Sequence, residues 1–195
     1  MSIHKGRKKQ IKRLPLEKCR IVKVLVTGGS GFLGRRLAKY KPEWIYMSSN
    51  DCDLKNLREV KGYLSAAKPD AIVHLAAKVG GIKDNAENQA SFYTHNTMIN
   101  TNIMHCARLL KIPRVLSSLS TCAFPDVVDS YPFTEEQMFA GAPAITNFSY
   151  GYTKRALHVQ TLSFRNQYGL NYSTFCPSNI YGPDDHFDTE RSHFV

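Results

Sequence analysis

A chain of 195 residues with 43 % hydrophobic side chains has enough apolar material for one core of ordinary size, which excludes disorder throughout. No run approaches the roughly 18 uninterrupted apolar residues that span a bilayer, and no apolar stretch of signal-peptide type follows the amino-terminal charges, so a cytoplasmic protein without a membrane partner is expected. The net charge of +10 is concentrated in residues 1–20, which hold eight Lys/Arg and one acid, while the other 175 residues carry only +3; nucleic acid is therefore not an expected partner of the globular part.

Residues 1–20 read as a basic arm, expected to be disordered because so few large apolar side chains cannot hold it in place. Five cysteines (Cys19, Cys52, Cys106, Cys122, Cys176) form an odd set without C-x-x-C spacing. They read as reduced thiols, and no metal site is expected.

From residue 21 onward, short β-branched runs alternate with longer amphipathic stretches, the pattern of βαβ units around a parallel sheet. The first strand, residues 21–27, runs straight into Thr27-Gly28-Gly29-Ser30-Gly31-Phe32-Leu33-Gly34 and a helix over 32–40. In that context the glycines have separate uses. Gly28 permits the tight turn, Gly31 leaves space for a pyrophosphate, and Gly34 lets the helix pack close to the strand, while the helix N-terminus offers its amides.

A second strand over 44–48 ends at Met47-Ser48-Ser49-Asn50, without the acid that NAD-binding folds place on the ribose hydroxyls. NADP is therefore favoured over NAD, with Arg35 or Arg36 as the cation for its extra phosphate. Asp53 follows, either against the adenine or as the cap of a helix over 54–67. A third strand spans 71–75, a long helix 86–110 and a fourth strand 114–119. An irregular excursion with three prolines covers 125–147, before a helix over 150–168 and a fifth strand over 172–176.

Tyr150 and Lys154 form Y-x-x-x-K at the start of that last helix, a spacing that puts both side chains on one face. An ammonium beside the phenol is expected to lower its pKa from near 10, so that the pair can relay a proton. Ser120 lies just beyond the fourth strand, at the carboxyl edge where ligands of such sheets bind. If the segment is extended, Ser120 and Cys122 project to the same side. Cys122 is otherwise read as a small buried apolar residue, and His74 as a satisfied strand-end histidine.

With Ser120, Tyr150 and Lys154 following the glycine turn, the chain resembles the extended short-chain dehydrogenase/reductase family, whose Ser, Tyr and Lys fall on these positions. The runs His74-Leu75-Ala76-Ala77 and Asn179-Ile180-Tyr181-Gly182-Pro183 are similar as well. Within the family, Lys78-Val79-Gly80-Gly81-Ile82, Ser120-Thr121-Cys122-Ala123-Phe124-Pro125, and His186-Phe187 with His193-Phe194-Val195 resemble the GDP-L-fucose synthase branch. The 4,6-dehydratase branch places an Asp-Glu pair after the threonine, where this chain has Cys122 and Ala123.

The resemblance implies an α/β fold, a doubly wound parallel (Rossmann) sheet binding NAD(P) over residues 21–195. It also implies a chain lacking most of the family's C-terminal substrate domain, because family members continue past the point matching Val195. The implied activity is NADP-dependent conversion of GDP-4-keto-6-deoxy-D-mannose to GDP-L-fucose. Ser120, Tyr150 and Lys154 would serve the reduction, and Cys122 and His193 the proton transfers of epimerisation. Gly28, Gly31, Phe32, Leu33, Gly34, Asp53, Leu75, Ala76, Ala77 and Lys154 would hold the cofactor. Implied partners are a GDP-sugar substrate, and a second copy of the chain or a complementing C-terminal polypeptide. The alternatives are another NAD(P)-dependent nucleotide-sugar epimerase of the family, and a non-catalytic dinucleotide-binding or scaffold protein.

Overall fold

The computed structural model describes residues 22–128, 130–183 and 185. The expected basic arm lies outside them. Five strands, β1 (Val24–Thr27), β2 (Ile45–Met47), β3 (Ala71–His74), β4 (Arg114–Ser118) and β5 (Asn171–Phe175), form one parallel sheet in the order β2-β1-β3-β4-β5. The helices are α1 (Phe32–Tyr40), α2 (Leu57–Ala67), α3 (Ile82–Glu87), α4 (Gln89–Leu109) and α5 (Phe148–Tyr168). Strand order reverses between β1 and β3, which leaves a crevice at their carboxyl ends.

The core follows from the apolar strand runs. Leu25, Val26, Ile72 and Val115 are buried along the sheet, and Phe92, Ile103, Met104, Ala107 and Leu157 bury the facing sides of α4 and α5. Each of the larger of these side chains stabilises the fold by about 1.5–3 kcal/mol. Tyr172 is also fully buried, and its hydroxyl donates to the Ile112 carbonyl at 3.1 Å, so its polar tip is satisfied.

The element boundaries correct four expectations. β1 starts at Val24 because the main chain at Lys23 is occupied by Asp70: the Lys23 amide donates to the Asp70 carboxylate and the Lys23 carbonyl accepts the Asp70 amide. α2 starts at Leu57, not 54, because Asn56 caps it, accepting the amides of Arg58 and Glu59. The helix expected over 86–110 is two helices. Asn88 breaks it with φ −118° and ψ 31°, its side chain turned back to Asp84 at 2.8 Å, as asparagine does when it competes with helical hydrogen bonding. α5 begins at Phe148, two residues early, which puts Tyr150 in its first turn; it ends at Gly169, whose φ of 65° suits glycine. The excursion over 125–147 carries two 3₁₀ turns, Glu135–Phe139 and Ile145–Asn147.

Candidate active site

The glycine turn closes β1 onto α1. Gly28 has a φ of 74°, and a Cβ there would come within 3.0 Å of the Ala76 amide nitrogen. Gly34 packs so tightly that a Cβ would overlap the Gly28 carbonyl and the Gly29 backbone. Gly31 differs. Its φ of −75° suits any residue, and an added Cβ would meet only the Gly28 carbonyl, at 3.2 Å, with open space beyond. The first helical hydrogen bond of α1 runs from Arg35 to Gly31, so the amides of Phe32, Leu33 and Gly34 precede it. No side chain caps this end and no acid lies in the first turn. The cradle therefore fits an anionic diphosphate: amides ahead of the first helical hydrogen bond, the positive end of a helix, and space that a side chain at 31 would fill.

Beside the turn, the ends of β1 and β3 are tied through Thr27. Its hydroxyl oxygen accepts the amides of Leu75 at 3.2 Å and Ala76 at 3.1 Å, so its single proton points to His74 Nδ1 at 2.8 Å. The His74 ring then carries its proton on Nε2 and donates to Asn100 at 3.1 Å. Burial, aided by the Lys154 charge, pushes the His74 pKa down to about 4, so the ring stays neutral and holds the two strand ends together. With the Leu75 and Ala76 amides thus committed, the run from Leu75 through Ala77 offers packing surface to a ligand.

At the end of β2, Asp51 folds back so that its carboxylate accepts both the amide (2.8 Å) and the hydroxyl (2.6 Å) of Ser48, and these bonds hold its pKa low. Asp53 does not cap α2. It is bonded to the amide and ammonium of Lys55, which hold its pKa low too, and its own amide donates to Glu59. Arg35 donates to the Ser30 carbonyl within the glycine turn, whereas Arg36 lies over the Tyr40 ring.

The second half of the site gathers where β4 ends. Ser120 is extended, and a 3₁₀ turn, Thr121–Ala123, follows it; the Ser120 hydroxyl oxygen accepts the Cys122 amide at 3.3 Å. The expected extended segment is therefore a coil, and Ser120 and Cys122 meet by capping instead of by strand alternation. α5 lies directly against this turn. A Cβ at Gly151 would overlap the Cys122 carbonyl, and buried Arg155 donates its Nε to the Ala123 carbonyl at 2.5 Å.

Tyr150 and Lys154 stand one turn apart on α5, as their spacing requires. The Tyr150 ring meets Phe92 edge to face, 6.5 Å between centroids. Its pKa is raised: burial dominates, the Cys122 and Cys176 thiols add to it, and a hydrogen bond with Ser120 opposes. This corrects the expectation that the ammonium lowers it. Lys154 Nζ donates to the Ser118 carbonyl at 2.8 Å and sits 5.6 Å from the Tyr150 ring centroid. Burial also brings the Lys154 pKa down to about 8, with Cys176 and Cys122 opposing.

The structure thus gathers Ser120, Cys122, Tyr150 and Lys154 in one place. The run that resembles the family at Asn179 to Pro183 returns to the glycine turn, where a Cβ at Gly182 would lie 3.8 Å from the Phe32 ring. His193 and His186-Phe187 lie outside the described residues. Sequence reasoning missed three participants: Arg155, Gly151 and Cys176, the last signalled only by its position two residues past Thr174 on the α5 side of the sheet.

A family model described as the NAD dependent epimerase/dehydratase family matches residues 24–195. GDP-L-fucose synthase of Dictyostelium discoideum is 37 % identical over 179 residues, 88 % of this chain and 56 % of that protein. The probable GDP-L-fucose synthase of Drosophila melanogaster is 39 % identical over 180 residues, 89 % of this chain and 56 % of that protein. Among solved structures, a GDP-L-fucose synthetase from Naegleria fowleri bound to NADP superposes with a TM-score of 0.80 at 32 % identity, covering 89 % of this chain and 59 % of that one. The chain spans about half the length of the curated relatives it matches.

Proposed function

Because the chain belongs to the NAD dependent epimerase/dehydratase family, we propose that it supplies the cofactor-binding and catalytic half of an NADP-dependent epimerase/reductase that converts GDP-4-keto-6-deoxy-D-mannose to GDP-L-fucose. The observation that carries this reading is the meeting of Ser120, Cys122, Tyr150 and Lys154 at the carboxyl edge of the sheet, next to an open diphosphate cradle. The names of its relatives, GDP-L-fucose synthases from two eukaryotes, support the substrate.

In this reading the amides of Phe32, Leu33 and Gly34 hold the cofactor's diphosphate, with Gly28 and Gly31 giving clearance and Arg35 or Arg36 as the cation for the 2′-phosphate. Leu75, Ala76 and Ala77 pack along it, Asp53 lies toward the adenine, and Lys154 holds the nicotinamide ribose. The bound cofactor supplies hydride for the substrate's C4. Ser120 donates to the sugar's keto oxygen and so stabilises the enolate formed when a neighbouring carbon loses its proton. Cys122, beside Ser120, removes or delivers that proton on one face, and His193 serves the opposite face. Tyr150 keeps its proton at neutral pH, as its raised pKa requires, and gives it to the oxygen at C4 once the ketone is reduced. We place this work in the cytoplasm, where Cys122 stays reduced.

Calorimetry on the folded chain tests the reading first: NADPH binds, and more tightly than NADH. Mixed with NADPH, the GDP-keto sugar and a C-terminal polypeptide from a relative, the chain oxidises cofactor. Absence of binding to either dinucleotide overturns the proposal; binding without turnover in the complemented mixture leaves a non-catalytic dinucleotide-binding protein.

A further inference from the structure

Cys176 lies next to the site although nothing in its immediate sequence marks it. Side chains two apart on a strand share a face. On β5, Tyr172 packs its ring on Phe164 at 6.4 Å, and the Thr174 hydroxyl bonds His158 Nδ1 at 3.0 Å, so this row faces α5 and climbs it toward its N-terminus. If the chain stays extended for the two residues from Thr174 past the end of β5 at Phe175, it advances roughly 6.6 Å, the length of four to five helical residues. That step carries Cys176 from the level of His158 to that of Lys154.

Cys122 reaches the same helical turn from the neighbouring strand. The Leu119 amide donates to the Phe175 carbonyl at 2.8 Å, so the chain at Cys176 runs beside Leu119 and Ser120. The 3₁₀ turn then coils back, with the Cys122 amide on the Ser120 hydroxyl and the Cys122 carbonyl against Gly151. Electrostatics agree with this geometry. Burial raises the Cys176 pKa first, the Cys122 thiol raises it further, and Lys154 lowers it. Cys122 is partly exposed and Cys176 exposed, while Cys52 and Cys106 are buried in the core.

We propose that Cys122 and Cys176 are a paired dithiol across the candidate site, which a peroxide closes into a disulfide. The Cys176 thiol gives up its proton as its sulfur attacks one peroxide oxygen; the O–O bond breaks, hydroxide leaves and takes up a proton, and the sulfur becomes a sulfenic acid, oxidised by two electrons. The Cys122 thiol then loses its proton and displaces that hydroxyl, forming the S–S bond and releasing a second water. Two thiols and one hydrogen peroxide thus give one disulfide and two waters. A small-molecule dithiol reverses it. The consequence, that oxidation removes the Cys122 thiol from proton transfer, rests on the proposed function; the bond itself does not.

The test needs no turnover. The purified chain is treated with hydrogen peroxide, alkylated, digested and mapped by mass spectrometry, with and without subsequent dithiothreitol. The expected result is loss of two hydrogens and one cross-linked peptide pair joining Cys122 to Cys176, absent after dithiothreitol, with Cys52 and Cys106 left as thiols. Cys176→Ser and Cys122→Ser each abolish the pair. Independent oxidation of the two sulfurs, or a bond from either to Cys19, Cys52 or Cys106, overturns the proposal. Failure of dinucleotide binding, measured on the reduced chain, bears on the function alone.

Discussion

The ammonium of Lys154 donates to the main-chain carbonyl of Ser118 from a position buried between α5 and the end of β4. This bond ties the helix that carries Tyr150 to the strand that leads to Ser120. Lys154→Met removes the bond and the charge while filling the same space. Turnover in the complemented enzyme should fall by roughly 10²–10⁴-fold. The melting temperature should change little, because loss of a buried hydrogen bond is offset by relief from burying an ammonium. A large fall in melting temperature with unchanged kcat would contradict the role.

Acid should destabilise the chain through His74. Its folded pKa of about 4 lies below the ordinary 6.5, so between these values the unfolded chain binds the extra proton and stability rises with pH. The stability is fully present above pH 6.5, is lost as pH falls toward 4, and amounts to about 3 kcal/mol as an order of magnitude. Urea unfolding at pH 4.5 and 7 checks this, and His74→Gln should flatten the difference. Lys154 adds a rise of the same sign above pH 8, as the folded chain releases its proton before the unfolded one does.

Two glycines of the turn should separate binding from folding. Gly31→Val places methyl groups in the diphosphate space beyond a single contact to the Gly28 carbonyl. NADPH affinity should drop at least tenfold, about 1.4 kcal/mol, with near-normal thermal unfolding. Gly34→Ala puts its Cβ into the Gly28 and Gly29 backbone, and should destabilise the fold by about 1–3 kcal/mol. Calorimetry and thermal melts on the two variants read these effects independently.

Arg155 holds the Ala123 carbonyl, and thus the turn that carries Cys122. Arg155→Leu should displace that turn and reduce kcat by about 10²-fold, since a displacement near 1 Å is enough for such a loss. Arg155→Lys can still donate to the carbonyl and should recover part of it. NADPH affinity should hold in both, which separates positioning from cofactor binding.

Much of this was legible in the residues because it rests on local rules. The glycine turn, the five β-branched strands and the Y-x-x-x-K face depend on spacing and conformational freedom, which a sequence displays. Other features were settled by competition. Asn88 broke a helix that its neighbours would have continued, because its own side chain offered Asp84 a bond. Asn56, not Asp53, won the cap of α2. The direction of Lys154 depended on a carbonyl 36 residues away, and the nearness of Cys176 to Cys122 on the register of two strands; neither has a sequence signal of its own.

The strand order also divides the molecule in time and strength. β1 and β3, which frame the glycine turn, each pair with strands on both sides, whereas β2 and β5 lie at the margins of the described sheet and meet only β1 and β4 respectively. Marginal strands exchange their amide hydrogens before central ones. Thermal fraying should therefore silence the thiol-bearing edge while the dinucleotide cradle is still intact, so that a warmed chain keeps its grip on cofactor after it has lost its chemistry.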